Sequence, residues 1–307
     1  MGQESQYIWM NGKLLEARDA TIPFLTSALH YGLGVFEGIR CYDTARGPAV
    51  FRLREHMQRL VDSAKVLGFR PLAYSVEELM AAVRETVRAN GLRSGYIRPL
   101  VYHDSGPIPL LNLDLGQAHI GIAAWEWGAY LGEEAREKGV RANVSSFTRH
   151  HPNVGMTKAK VTGNYANSVL AKTESVRLGF QEAIMLDPQG YVAECTGENL
   201  FLVRRGQIVT PHTAPILEGI TRDALVTLAH DLGLSVSQEP ISRDQLYIAD
   251  EVFVCGTAAE VIAVTEIDFR TIGSGRMGPI TRRLQDEFNA AVHGKHARSA
   301  LWLDYVN

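Results

Sequence analysis

Thr157-Lys158-Ala159-Lys160-Val161-Thr162-Gly163-Asn164-Tyr165 opens a helical stretch that runs from Gly163 to Leu178 and stops at Gly179. A hairpin follows, Ala183 to Leu186 and Tyr191 to Cys195, turning at Asp187-Pro188-Gln189-Gly190. Its second arm leads into Glu194-Cys195-Thr196-Gly197-Glu198-Asn199-Leu200-Phe201. Upstream, Val140 to Phe147 reads as a strand, preceded by a linker from Gly128 to Gly139. Downstream, Leu225, Leu228, Ala229 and Leu232 form one helix face beginning near Thr221, and Ser242-Arg243-Asp244-Gln245 caps a short helix. Glu251 to Cys255 is strand-like, and Ile280, Leu284, Phe288 and Val292 stripe the last helix.

The first half is of a different kind. Tyr7 to Trp9 and Lys13 to Leu15 flank Asn11-Gly12 as a hairpin, and an extended run Val35 to Tyr42 pairs with Ala49 to Leu53. Leu53, Met57, Leu60, Ala64 and Leu67 recur at helical spacing before Gly68, and Ser75 with Glu78 opens a helix ending near Asn90 and Gly91. Tyr96 to Tyr102 and His119 to Trp127 complete it as strands. The expected architecture is α/β (α+β) in two domains: a small N-terminal α+β domain over 1–127, a linker over 128–139, and a larger C-terminal α/β domain over 140–307.

Composition narrows the function. Of 307 residues, 31 are Lys or Arg and 34 Asp or Glu, a net charge of -3 without a basic block, so the footprint of a nucleic-acid binder is missing. Cys41, Cys195 and Cys255 stand far apart, which excludes a C-x-x-C metal site and fits a reducing compartment. No apolar run approaches the roughly 18 residues of a membrane span. Glu4, Glu16 and Asp19 argue against a signal or transit peptide, and a cytoplasmic protein is expected.

Some signals carry little. Gly273-Ser274-Gly275-Arg276-Met277-Gly278 fits a dinucleotide fingerprint, yet too little chain follows for the rest of such a domain, so a turn before a helix outweighs NAD binding. His150-His151 lacks a third ligand, and no metal is expected. There is no H-E-x-x-H, G-x-S-x-G or Walker lysine.

Five stretches carry the function: 157–165, 191–201, Leu217-Glu218-Gly219-Ile220-Thr221-Arg222, Val254-Cys255-Gly256-Thr257-Ala258-Ala259-Glu260, and Val35-Phe36-Glu37-Gly38-Ile39-Arg40. Together they resemble the branched-chain amino acid aminotransferases, fold-type IV enzymes dependent on pyridoxal 5′-phosphate. The resemblance covers nearly the whole chain.

It implies Lys160 as the lysine that forms the Schiff base, chosen over Lys158 by the register Lys160-x-x-Gly163-Asn164-Tyr165. Two residues apart on a strand, both lysines would face one side, so periodicity leaves that choice open. A nucleophilic lysine must be neutral, which desolvation by neighbours such as Ala159 and Val161 favours. Tyr165 resembles the tyrosine on the cofactor's phenolic oxygen, and Glu194 the carboxylate on its pyridine nitrogen. Leu217, Gly219, Ile220 and Thr221, at the start of a helix, resemble one phosphate-holding turn and Gly256 with Thr257 a second. Arg59 resembles the phosphate arginine, although on the helical wheel it lies beside His56 and Ser63, off the apolar stripe, where periodicity alone leaves it in solvent.

For substrate, the resemblance implies Tyr96, Ala258 and the Thr257 turn on the α-carboxylate and Arg98 on the distal carboxylate of glutamate. Phe36, Gly38, Trp127, Tyr130 and Tyr31, the last lent by a partner subunit, wall the side-chain pocket. The 103–117 stretch matches no strict motif. The implied reaction exchanges amino groups between L-leucine, L-isoleucine or L-valine and 2-oxoglutarate, in a homo-oligomer built from dimers. D-amino acid transaminases and aminodeoxychorismate lyases share the cofactor motifs, but Phe36-x-Gly38-Ile39-Arg40 with Tyr96-x-Arg98 favours the branched-chain branch.

Overall fold

The computed structural model describes residues 5–103, 118–128 and 131–307. In chain order the first elements are β1 (Tyr7–Met10), β2 (Lys13–Glu16), α1 (Ser27–Tyr31), β3 (Gly34–Phe36), β4 (Ile39–Thr44) and β5 (Gly47–Phe51). Helices α2 (Leu53–Val66) and α3 (Val76–Ala89) precede β6 (Gly95–His103) and β7 (Ala118–Trp125). Next come α4 (Glu133–Lys138), β8 (Val140–Val144), a 3-10 turn at Thr162–Asn164 and α5 (Tyr165–Arg177). Strands β9 (Glu182–Leu186), β10 (Val192–Cys195), β11 (Asn199–Arg204) and β12 (Gln207–Thr210) lead to α6 (Ile220–Asp231), β13 (Val236–Gln238) and α7 (Arg243–Tyr247). The chain closes with β14 (Glu251–Gly256), β15 (Glu260–Ile267), β16 (Arg270–Thr271), α8 (Pro279–Val292), α9 (Ser299–Trp302) and β17 (Leu303–Tyr305).

These elements form two compact units, neither contiguous in sequence. The first comprises Met1–Gly128, Lys158–Asn164 and Ala291–Asn307, and the second Ala129–Thr157 and Tyr165–Ala290. This division differs in two places from the expected boundaries, which had a cut at 128–139 and everything after it in one domain. The chain end returns because β5 has an open edge: β17 pairs antiparallel with it, Leu303 opposite Phe51 and Tyr305 opposite Ala49, and Val306 is buried in the first core. The 158–164 segment returns to the first unit through hydrogen bonds described below.

The first unit is an antiparallel sheet in the order β17-β5-β4-β6-β7-β1-β2, with β3 also on β6. Leu53, Met57, Leu60 and Ala64 of α2 and Leu79, Val83 and Val87 of α3 bury against Ile97, Val101, Ile120 and Ile122 of the sheet. The apolar stripe of α2 and the Ser75 capping box of α3 are as the spacing predicts. The expected single strand Val35 to Tyr42 is instead broken at Glu37-Gly38. β3 pairs with residues 100–102 of β6 and β4 with 95–97, while the Glu37 N–H donates to the Pro99 carbonyl at 2.9 Å between them. A side chain at Gly38 would place its Cβ 1.9 Å from the Tyr96 hydroxyl, so only glycine lets the chain cross there.

The second unit's sheet runs β10-β9-β8-β15-β14-β11-β12-β13, with β16 on β15. β8 is parallel to both β9 and β15. β11 and β15 escape the sequence reading because Leu200 to Val203 and Val261 to Val264 are buried throughout, so the period-2 signal is missing. The Gly273 to Gly278 stretch is a turn before α8. The Glu251 carboxylate accepts the N–H groups of Ile280 at 3.0 Å and Thr281 at 2.7 Å, and the Thr281 hydroxyl at 2.6 Å. A dinucleotide phosphate would need that helix terminus, and the protein's own carboxylate holds it. Among the described residues, no helix is long and apolar enough to cross a membrane.

Candidate active site

In the first unit, Lys160 is fixed by its backbone. Its N–H donates to the buried Ser63 hydroxyl at 3.1 Å, its carbonyl accepts from the Phe36 N–H at 3.0 Å, and Val161 bridges to Val35. Gly163 N–H and the Thr162 hydroxyl both donate to the Gly32 carbonyl, at 3.2 and 2.7 Å. The lysine expected within the C-terminal domain is thus held by the N-terminal unit. Residues 157–159 form a turn rather than a strand, so the two-residue periodicity does not apply: Lys158 is exposed and Lys160 half-buried.

Phe36 is the wall against which two basic side chains lie, Lys160 Nζ at 4.9 Å and the Arg98 guanidinium at 4.8 Å from the ring centroid. Arg98 Nη2 donates to the Tyr96 hydroxyl at 3.2 Å, and Tyr96 packs against Trp127 with ring centroids 5.1 Å apart. The buried Nε of Arg98 has no hydrogen-bond acceptor among the described residues. Phe36, Gly38, Tyr96, Arg98, Trp127 and Lys160 therefore belong to one unit. Tyr31, at the end of α1, is 46% exposed beside exposed Phe24 and Leu29. Tyr130 and the 104–117 part of the 103–117 stretch lie outside the described residues.

Arg59 is not in solvent. Its Nε donates to Glu37 Oε1 at 2.5 Å and its Nη2 to Glu37 Oε2 at 3.0 Å. Glu37 is fully buried and also pairs with the buried His56, whose Nδ1 lies 2.7 Å from Oε2. Burial alone would raise the Glu37 carboxyl, but Arg59 and His56 outweigh it and hold it well below the usual carboxylate range. The same burial pushes the His56 imidazole down. Wheel position had shown His56, Arg59 and Ser63 to share a face; it could not show that Glu37 and the 160 segment cover that face.

In the second unit, Glu194 sits on β10 beside a register shift and is buried. Arg149, which the sequence reading passed over, pairs with Glu194 Oε1 at 2.8 Å, both side chains being about nine-tenths buried. Asn199 Nδ2 and the Leu217 N–H each approach Glu194 Oε2 at 3.4 Å, and Asn199 Nδ2 donates to the Leu217 carbonyl at 3.1 Å. Asn199 thereby ties the carboxylate to the turn that starts α6. Gly219 is the N-cap of that helix, without a side-chain cap, and a Cβ there would lie 1.9 Å from Asn199 Oδ1. The leading N–H groups of the helix, through Ile220 and the buried Thr221, lack intrahelical acceptors. Gly256 ends β14, Thr257 and Ala258 lie in the partly exposed turn that leads to β15, and Tyr165, half-buried, begins α5. His151 caps its own turn, accepting the Asn153 N–H at 3.1 Å.

Glu182 and Glu198 are also buried. Glu182 is satisfied by Lys172 and by Thr196, whose hydroxyl donates at 2.6 Å, whereas burial first and the Glu182 charge second push Glu198 up to about 8. The unfolded carboxyl ionises near 4.5 while the folded one keeps its proton, so this group's contribution to stability is complete below 4.5, falls as pH rises toward 8, and is flat beyond. Melting curves from pH 5 to 8 are expected to fall less steeply for Glu198→Gln than for wild type; parallel curves would contradict this.

The profile of the family described as amino-transferase class IV matches residues 34–267. Over 306 residues, 100% of this chain and 99% of the relative, the sequence is 49% identical to the branched-chain-amino-acid aminotransferase of Pseudomonas aeruginosa. The fold matches the crystal structure of the T.th. branched-chain amino acid aminotransferase with pyridoxamine 5′-phosphate at a TM-score of 0.95, with 51% identity and 99% of each chain covered. The same T.th. enzyme complexed with N-(5′-phosphopyridoxyl)-L-glutamate matches at 0.92, with 49% identity and again 99% of each chain. With likeness this high along the full length of each protein, the resemblance carried by residues 157–165 and 191–201 is a family relationship: the chain belongs to the class IV amino-transferases, among the branched-chain-amino-acid aminotransferases.

Proposed function

We propose that this chain moves the amino group of L-leucine, L-isoleucine or L-valine to 2-oxoglutarate with pyridoxal 5′-phosphate, giving branched-chain 2-oxo acids and L-glutamate. The observation that carries this reading is the Phe36 wall, where an apolar ring meets a guanidinium with an unpartnered buried N–H. One pocket must accept an aliphatic side chain in one half-reaction and a carboxylate in the other, and an aromatic face bordered by Arg98 meets both demands.

The residues fit the cofactor. An uncapped helix N-terminus led by Gly219 suits a phosphate, and the Glu194 carboxylate, buried on Arg149, suits a ring cation. When bound, pyridoxal phosphate supplies an aldehyde for the amino group and a ring that accepts the electron pair left at Cα. Lys160 Nζ is the amine that carries the proton from Cα. Glu194 supplies fixed negative charge, kept in place by Arg149 and Asn199. Arg59, Leu217, Gly219, Ile220, Thr221, Gly256 and Thr257 hold the phosphate, and Tyr165 the phenolic oxygen. Tyr96 and Ala258 take the α-carboxylate, with Gly38, Trp127, Tyr130 and Tyr31 around the side chain. The exposed apolar residues Phe24, Leu25 and Leu29 beside Tyr31 support a homo-oligomer built from dimers, and three buried free cysteines support a cytoplasmic location.

Arg98→Met tests the dual-substrate pocket. The KM for 2-oxoglutarate is expected to rise about 10- to 100-fold, the worth of one or two charge-assisted hydrogen bonds. The KM for L-leucine should stay within about threefold, because the Phe36 wall that receives its side chain is untouched. Equal rises would remove Arg98 from the distal-carboxylate role, and a strict preference for D-alanine over L-leucine in the wild type would overturn the branched-chain reading.

A further inference from the structure

We propose that Glu37 is a positioning residue: by gripping Arg59 side-on it fixes the guanidinium plane, so that Arg59 meets the cofactor's phosphate as a preset fork rather than as a mobile charge. This rests on the reading of Arg59 as a phosphate residue.

The geometry is that of a bidentate pair. Nε and Nη2 of Arg59 bond to the two different oxygens of Glu37, at 2.5 and 3.0 Å, which ties the guanidinium plane to the carboxylate plane. This side-on grip consumes the Nε–H and one Nη2 hydrogen and so sets the direction of the Nη1 edge. The carboxylate is itself immobile. Its Oε2 accepts the Gly38 N–H at 3.2 Å and bonds His56 Nδ1 at 2.7 Å, and its backbone N–H is used by Pro99. His56 Nδ1 is the donor in that bond, and burial favours the neutral form of the ring.

Charge alone argues against such a carboxylate. Beside an anion site, Glu37 cancels much of the attraction Arg59 would offer a phosphate, so a neutral residue would serve simple charge attraction better. What the carboxylate adds is order. A free arginine gives up rotamer freedom when it is immobilised, and a locked one has little left to lose on binding. Glu37 also occupies the break between β3 and β4, one residue from Phe36 and from Gly38, so the side chain that orients Arg59 is set by the strands that place the pocket wall.

The test is a double-mutant cycle on binding rather than turnover. Apoenzymes of wild type, Glu37→Gln, Arg59→Gln and the double variant are titrated with pyridoxamine 5′-phosphate, which cannot condense with Lys160, following tryptophan fluorescence. Glu37→Gln is expected to weaken binding about tenfold in the wild-type background and not at all in the Arg59→Gln background. An equal loss in both backgrounds, or no loss in either, overturns the positioning role. No loss from Arg59→Gln alone would instead refute the phosphate reading of Arg59. Glu37→Asp keeps the charge and shortens the reach, so it should bind weakly too; full affinity would show that charge, not the fork, matters. Should Glu37→Gln not fold, the Glu37→Asp cycle with Arg59→Gln gives the same decision.

Discussion

Lys160→Ala is expected to lower transamination on the order of 10⁴-fold or more, the scale of losing an essential nucleophile. The same substitution should shift the visible absorbance of the holoenzyme to that of free pyridoxal phosphate. Lys160 is the lysine of its segment that the first unit grips on both sides, through Ser63 and Phe36, and its side chain lies along an aromatic ring. Lys158 provides the control. It is exposed on a turn, and Lys158→Ala should retain activity within about threefold, the ordinary range for a surface substitution. Borohydride reduction followed by peptide mapping locates the labelled amine directly. A label at 158, or an unchanged spectrum for Lys160→Ala, would remove the basis of the assigned chemistry.

The second large effect is expected at Glu194. Glu194→Gln leaves the Arg149 guanidinium buried without its counter-charge, a loss of about 3–5 kcal/mol of stability. It also removes the fixed charge proposed to face the cofactor ring, which should lower turnover on the order of 10²-fold, as for other preorganised electrostatic groups. The two effects separate in a double variant. Arg149→Met with Glu194→Gln removes both charges, so most of the stability should return, while turnover stays low. Thermal unfolding and steady-state kinetics on the three proteins decide the matter: activity that recovers together with stability would reduce Glu194 to a structural role.

The sequence-derived elements hold where a local signal decides them. Apolar spacing over Leu53 to Leu67 and the Ser75 capping box place α2 and α3, and Asn11-Gly12 places the first hairpin. They fail where burial erases the signal, as in β11 and β15, and where a local break depends on a distant group, as at Glu37-Gly38 against Tyr96. Arg149 had no signal of its own, since a lone arginine before two histidines is unremarkable until a buried carboxylate is found beside it.

By itself, the sequence determined the family and its chemistry. The proposed lysine, the Glu194 carboxylate and the glycine turns sit in short stretches that resemble the family's, and spacing within a stretch survives without knowledge of the fold. Only the tertiary structure decided which unit holds Lys160, why Arg59 is buried, and that Glu251 fills the start of α8. Each of those rests on a pair far apart in the chain: Glu37 with Arg59, 22 residues away; Glu251 with Thr281, 30 away; Ser63 with Lys160, 97 away. Helical periodicity reports which residues share a face. What covers that face depends on segments that meet only after the chain has folded.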